Sequence, residues 1–249
     1  MKNKLVITKI GGKFIDDKAK LDSFITEFSE IKGPKILIHG GGNKATEISL
    51  RLGLKPTLID GRRITSKDDL EVVVMIYSGL INKSIVAKLQ AKNCNSIGLS
   101  GADGNLIRAL RRPATDIDYG FVGDVVSIDS NSIEQLLKSG FTPVFSAICH
   151  DGNGQLLNTN SDTIASQIAI SMSEKFDVDL IYHFDKDGVL DSDGNVISLL
   201  NMQDYLDLKS KKIIKEGMIP KVDNCFNALD NNVSNVCIGN TKIEQNHDR

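Results

Sequence analysis

An excess of charge of either sign is missing from this sequence. Thirty Lys and Arg stand against 32 Asp and Glu, a formal net charge of −2. Nothing in that balance suggests long-range attraction to nucleic acid or to an anionic membrane surface, although the pairs Arg62-Arg63 and Arg111-Arg112 can still form a local positive pocket. Aromatic residues make up only 5% of the chain and are not interleaved with basic ones, so the stacking platform of a nucleic-acid binder is missing too. Cysteine is sparse. Cys94, Cys149, Cys225 and Cys237 form no CxxC pair, which speaks against a zinc ribbon and against a dense secreted disulfide framework. They read as small buried hydrophobes in a reduced, cytoplasmic compartment. No apolar stretch reaches the roughly 18 residues of a membrane span. The run after MKNK contains Lys9, is too short for a signal peptide and lacks a cleavage pattern. Also absent are the GxxxxGK[ST] of a P-loop ATPase and the GxSxG elbow of a serine hydrolase. Neither internal repeats nor low-complexity tracts nor long linkers occur.

What is present suits one α/β domain. The 249 residues are short for two independent domains, and 41% hydrophobic residues can fill a sizeable core. KLVITKI at 4–10 reads as a buried strand ended by Gly11-Gly12, with a helix over 17–30. After Gly33-Pro34 the pattern repeats: strand KILIH at 35–39, glycines 40–42, helix 43–52. This βαβα start predicts a largely parallel sheet. Residues 55–59 suggest a short strand, and 67–92 the longest helix, weakened or kinked at Gly79. Short strands or a hairpin are expected within 105–128, a helix over Ser130–Ser139, and a single buried strand over 141–150. Asn160 or Ser161 can cap a helix to about 172. A strand over 177–184, helix over 203–216, a break at GMIP, helix over 221–232 and strand over 233–239 complete the pattern, and the polar tail after Asn240 is expected to fray.

The two glycine turns carry the first functional signal. Each lies between a strand and a helix, where glycine lets a ligand approach the backbone and the helix offers unpaired N–H groups. Either alone reads equally well as a tight turn; the pair at strand ends can hold two anionic groups side by side. Lys9 ends an apolar strand and needs an anionic or wet environment, unless it is an edge lysine. Asn158 and Asn160 offer hydrogen bonds to a polar substrate. Asp162 is either a favourable first-turn carboxylate or a group that orients lysine ammoniums. Arg63 can clamp a carboxylate or make a surface ion pair. DKDG at 185–188 and DSDG at 191–194 lack the full spacing of a calcium loop and read as turns, the first a candidate nucleotide contact. His39, His150 and His183 sit at strand ends in unrelated contexts, and no metal ligand set is assigned.

KIGG at 9–12, HGGG at 39–42, DGRRIT at 60–65, GLSGADG at 98–104, QLLNTNSDTIA at 155–165, DKDGVL at 185–190 and GMIPKV at 217–222 occur in order over nearly the whole chain. Together they resemble the amino-acid kinase family, and within it the N-acetylglutamate kinase branch. The resemblance implies an open three-layer αβα sandwich of the carbamate kinase type, with a mostly parallel sheet of about eight strands. It implies one domain over 1–249, an N-terminal lobe to about 170 for the acyl amino acid and a C-terminal lobe over about 171–249 for ATP. The implied reaction, with ATP and Mg²⁺, phosphorylates the side-chain carboxylate of N-acetyl-L-glutamate in arginine biosynthesis. Lys9, Lys221 and Asp162 match the catalytic positions. Gly41, Gly42, Arg63, Asn158 and Asn160 match acceptor positions; Gly11, Gly12, Asp185, Gly188, Leu190, Ile213 and Lys215 match nucleotide positions. The chain begins almost on its first strand, without the N-terminal helix of hexameric, arginine-sensing relatives, so the resemblance implies a homodimer joined through the 67–92 helix and weak arginine inhibition. The stretch 105–124 looks like the Bacteroidetes version, for which an N-succinyl acceptor is the alternative, with Arg108, Arg111 or Arg112 meeting its extra carboxylate. The alternative from another class is a metabolite or nucleotide sensor without turnover.

Overall fold

The computed structural model describes residues 2–59, 62–215 and 217–245. Asp60 and Gly61, which open the DGRRIT motif, Glu216 and the last four residues of the tail lie outside them. In chain order the elements are β1 (Lys4–Ile10), α1 (Gly12–Asp16), α2 (Lys18–Glu30), β2 (Lys35–His39), α3 (Gly42–Arg51), β3 (Thr57–Ile59), β4 (Arg62–Ile64) and α4 (Lys67–Val74). A π-helical segment, Met75–Ile81, leads into α5 (Asn82–Gln90) and β5 (Ser96–Leu99). Then come β6 (Ile107–Arg111), β7 (Val122–Ile128), α6 (Ser130–Lys138), β8 (Thr142–Phe145), β9 (Ile148–His150), β10 (Leu156–Thr159) and α7 (Ser161–Ser173). The chain closes with β11 (Asp177–His183), β12 (Leu199–Asn201), α8 (Met202–Ser210), α9 (Met218–Asp230), β13 (Asn235–Ile238) and β14 (Thr241–Glu244).

Eight strands form the central sheet in the order β12-β14-β13-β11-β1-β2-β8-β5. Every neighbouring pair is parallel except β13–β14. All five residues of β2 are buried, as a parallel strand covered on both faces requires. Helix α7 packs on β1, β2 and β11 together with α6 and α9, while α5 packs on β5 and β8 beside α2. The expected αβα sandwich is therefore the observed one. A second, small group of strands, β10-β7-β6-β9, closes on itself above the sheet's end, and β3–β4 form a separate hairpin.

At the rim where chains enter the parallel strands, helices end in left-handed residues. Gly33, Asn93, Gly140 and Asn232 have φ of 85°, 58°, 80° and 66° and precede β2, β5, β8 and β13. A left-handed residue after the last helical turn lets the freed carbonyls pair while the chain reverses.

Four expectations need correction. Residues 141–150 are two strands, because the chain leaves the main sheet at Ser146-Ala147 and β9 joins the small group. The tail does not simply fray after Asn240: β14 pairs with β12 and β13, burying Thr241 and Ile243. Helix α8 stops at Ser210, with Lys212 at φ 56°, and α9 begins at Met218 rather than at Lys221. Finally, α4, the π-helical segment and α5 run together as the expected long helix, Lys67–Gln90. Against the expectation that no apolar stretch reaches membrane length, its 24 residues are by length and composition apolar enough to cross a membrane. Its buried residues Leu70, Val73, Ile76, Ile81, Ile85 and Leu89 belong to the core of this fold.

Candidate active site

The strand order reverses around β1. From it the chain builds outward to β2, β8 and β5 on one side and later to β11 and β13 on the other. In such sheets the crevice beyond the carboxyl ends of the strands at the reversal receives ligands. Here those ends are level: Ile10 pairs in register with His39 on β2 and with His183 on β11. Gly11-Gly12, Gly40-Gly41-Gly42 and Phe184-Asp185 therefore open on one rim.

The two glycine turns touch. A Cβ on Gly12 would lie 3.5 Å from the Gly42 nitrogen and 3.7 Å from that of Asn43. On Gly41 it would lie 2.5 Å from Ile81 Cδ1 and 2.9 Å from Tyr77 Cδ1. The contacts at Gly12 are ordinary ones, whereas at Gly41 only glycine lets the turn lie this close to the long helix beneath.

Behind the turns, Asp162 joins two lysines. Lys9 Nζ lies 2.6 Å from Asp162 Oδ1 and Lys221 Nζ lies 2.8 Å from Oδ2, with all three side chains at most 16% exposed. The local fold explains how they meet. Asn160, not Asp162, caps α7, its Oδ1 accepting from the Asp162 and Thr163 nitrogens at 2.7 and 3.2 Å. This leaves the Asp162 carboxylate free to face the lysines. Lys9 is the penultimate residue of β1, and Lys221 lies in the first turns of α9 over the rings of Tyr182 and Phe184. Burial pushes the Lys9 pKa down, Asp162 pushes it up, and Lys221 adds repulsion; the outcome is about 8. Burial would raise the Asp162 pKa, but the two ammonium groups outweigh it and hold the carboxyl well below its usual range.

Two cavities meet at this point. The first, about 430 Å³, is lined by Lys9, Gly12, Gly40–Gly42, Arg63, Asn158, Asn160 and Asp162 among others. The second, also about 430 Å³, is lined by Lys9, Gly11, Gly12, Phe14, Phe184, Asp185, Lys186, Lys215, Gly217, Met218 and Lys221. Lys9 and Gly12 belong to both walls. Of the sequence-predicted residues, Lys9, Asp162, Gly41, Gly42, Arg63, Asn158 and Asn160 thus come together in the first cavity. Gly11, Gly12, Asp185, Lys215 and Lys221 come together in the second. Gly188, Leu190 and Ile213 line neither: Gly188 packs tightly against Thr241 and Val196, and Leu190 pairs with Val196.

Arg63 is almost fully buried. Its Nη2 donates to the Gly42 carbonyl at 3.2 Å and to Thr46 Oγ1 at 2.5 Å. Its Nη1 is buried without a hydrogen bond, 3.8 Å from the Asp69 carboxylate. Asn158 donates to Thr65 Oγ1 at 3.0 Å. Arg112 also lines the first cavity and is held by Asp124, at 2.5 and 3.0 Å, and by the Tyr119 ring. Arg108 and Arg111 point elsewhere, to Asp151 and to Gly120 with Asp118.

Sequence reasoning missed Tyr77, Arg62, Ser161 and Asn224, which share the lining of the first cavity. Tyr77 reads as one more apolar position of a long helix, and nothing in its neighbourhood marks it. Ser161 and Arg62 adjoin motif residues, which was the available signal.

Residues 4–240 match the amino acid kinase family. An acetylglutamate kinase of Cytophaga hutchinsonii is 50% identical over 239 residues, 94% of this chain and 90% of that protein. The crystal structure of smu.665 from Streptococcus mutans UA159 superposes with a TM-score of 0.84 at 26% identity, covering 96% of this chain and 98% of the other. Giardia carbamate kinase shares the fold at 13% identity, with a TM-score of 0.61 over 98% and 99% of the two chains. From the first strand to the turn before the last, this chain belongs to the amino acid kinase family.

Proposed function

We propose that this chain is an acetylglutamate kinase, transferring the γ-phosphoryl group of ATP to the side-chain carboxylate of N-acetyl-L-glutamate and releasing ADP and N-acetylglutamyl 5-phosphate. The observation that carries this reading is the wall common to the two cavities, made of Lys9 and Gly12. A donor phosphate and an acceptor carboxylate on its two sides would be brought to reacting distance.

The chemistry asks little of a base. An ionised carboxylate is already a nucleophile, so catalysis consists of holding two anions in line and offsetting charge on the transferring oxygens. Lys9 and Lys221 supply the positive charge, and Asp162 keeps both ammonium groups aimed at one place. Gly41 and Gly42 receive the reacting carboxylate, Arg63 the α-carboxylate, and Asn158 the acylated nitrogen; Asn160 shapes this wall while capping α7. Gly11, Gly12, Asp185 and Lys215 hold the nucleotide. Mg²⁺ bound to ATP would supply further positive charge against its phosphates. The cationic lining of Lys9, Lys186, Lys215 and Lys221 suits that polyphosphate. Residues up to about 170 supply most of the acceptor side and those from about 171 most of the nucleotide side. A homodimer joined through the Lys67–Gln90 helix fits its exposed Met75 and Leu80, and the cytoplasm is the proposed compartment.

Arg62 and Arg112 on the acceptor cavity favour a second reading, an N-succinyl-L-glutamate acceptor whose extra carboxylate they would meet. One assay separates the readings: hydroxylamine trapping of the acyl phosphate with N-acetyl- and N-succinyl-glutamate in parallel. Preference for the first substrate supports the principal reading, and preference for the second supports the alternative. Absence of product from either, with folded protein and Mg-ATP, refutes both and leaves a sensor without turnover. Lys9→Ala and Lys221→Ala should each lower kcat by about 10²-fold or more; near-normal kcat in Lys9→Ala would refute its role.

A further inference from the structure

His39 is fully buried at the end of β2, next to the glycine turn, and the chemistry above makes no use of it. Its Nδ1 lies 2.8 Å from the Gly40 carbonyl oxygen, and its Nε2 lies 3.1 Å from Asn82 Nδ2. Asn82 is equally buried, the first residue after the π-helical segment. Its Nδ2 also donates to the Val144 carbonyl at 2.9 Å, and its Oδ1 accepts from Lys83 Nζ at 3.2 Å. These partners fix the proton. A carbonyl oxygen only accepts, so the amide nitrogen of Asn82 faces Val144. The same NH₂ group faces His39, and it only donates, so Nε2 must accept. The ring proton therefore sits on Nδ1 and is donated to Gly40.

The Gly40 carbonyl and the Gly41 N–H belong to one planar trans peptide and point in opposite directions. The peptide preceding Gly40 is tied as well, since Gly40 N donates to the Ile10 carbonyl at 3.2 Å. With the oxygen held inward by His39, the Gly41 N–H is turned away from the core, and Gly41 lies on the wall of the acceptor cavity.

We propose that His39, set by Asn82 in its Nδ1–H tautomer, is a positioning residue that aims the Gly41 amide at the carboxylate receiving the phosphoryl group. This rests on the reading of the first cavity as the acceptor site. Burial holds the ring pKa down at about 4, with Lys9 and Lys83 adding repulsion, so the ring stays neutral near neutral pH.

The test begins with wild-type turnover, whose absence would overturn the kinase reading and this proposal together. Two variants then separate positioning from packing. His39→Asn places an amide nitrogen near the Nδ1 position and keeps the donor to Gly40; His39→Leu fills the space without one. His39→Leu should lower kcat/KM for the acceptor about 10- to 100-fold, with ATP affinity within about twofold. His39→Asn should recover most of that loss even at a comparable fall in melting temperature. Wild-type acceptor kinetics in His39→Leu would overturn the proposal while leaving the kinase reading intact. So would equal losses in both variants, tracking their stability. A measurement without substitution stands beside these: ¹⁵N NMR of histidine-labelled wild-type protein should show the Nδ1–H tautomer, unchanged between about pH 6 and about pH 8. An Nε2–H tautomer, or a ring that titrates in that window, would overturn the proposal.

Discussion

Asp162 sets one negative charge between two ammonium groups, so the cluster carries a net positive charge with little water to screen it. That residual charge is what an incoming phosphate would meet. It also makes Lys9 pH-sensitive. The ammonium is present below its pKa of about 8 and is lost as pH rises through that value. The profile of kcat/KM for ATP, which reports the free enzyme, should therefore bend down on a basic limb near 8; in kcat the limb should move to higher pH, because bound phosphate favours the ammonium. A flat alkaline profile would argue that the Lys9 charge is not needed. Arg63 makes a different prediction. It lines the first cavity, so Arg63→Ala should raise the acceptor KM by about tenfold or more, with a smaller change for ATP. Arg63→Lys should rescue it poorly, because an ammonium cannot reproduce the fork. Steady-state kinetics with each substrate varied would decide both. At this scale the sequence was legible only through family motifs. Lys9 and Lys221 are far apart along the chain, and locally each has an ordinary reading; only the sheet reversal and the α9 start bring them to one carboxylate.

The glycine turns depend on the helix beneath them. Gly41 has Ile81 and Tyr77 within 3 Å of where a Cβ would stand. Tyr77 and Ile81 both belong to the π-helical segment, whose wider turn is a frequent mark of functional sites. Gly41→Ala should therefore displace the turn, lowering kcat/KM for the acceptor by about 10²-fold while ATP binding changes little; a fluorescence titration with nucleotide beside the kinetic assay would show the split. The long helix and the two βα units were readable from periodicity and glycine punctuation. The π turn was not, because a single wide turn leaves the apolar stripe nearly unchanged. The break at Ser146-Ala147 was hidden for another reason: both flanking strands are buried, and no glycine or proline separates them. In β14 the alternation of buried Thr241 and Ile243 with Lys242 was present but too short to outweigh the polar composition.

For the whole molecule, the parallel sheet was legible from alternation of strands and helices, whereas the strand order was not. The order depends on which helices cross which face, and that is a property of packing rather than of local pattern. The assembly can be read only from the surface. Met75 and Leu80 are 55% and 51% exposed on the Lys67–Gln90 helix, so light scattering should return the mass of a dimer, and Met75→Glu with Leu80→Glu should shift it towards the monomer. A monomer mass for the unaltered chain would refute the proposed assembly.

The left-handed helix ends at Gly33, Asn93, Gly140 and Asn232 all lie where chains enter the strands, on the rim opposite the glycine turns. Open space surrounds the Gly33 and Gly140 positions. The molecule therefore keeps its joints and its chemistry at opposite ends of the same strands. New termini, a tag or a fused domain placed at Gly33 or Gly140 would enter from the far side of the sheet, and the rim of the glycine turns need never register their arrival.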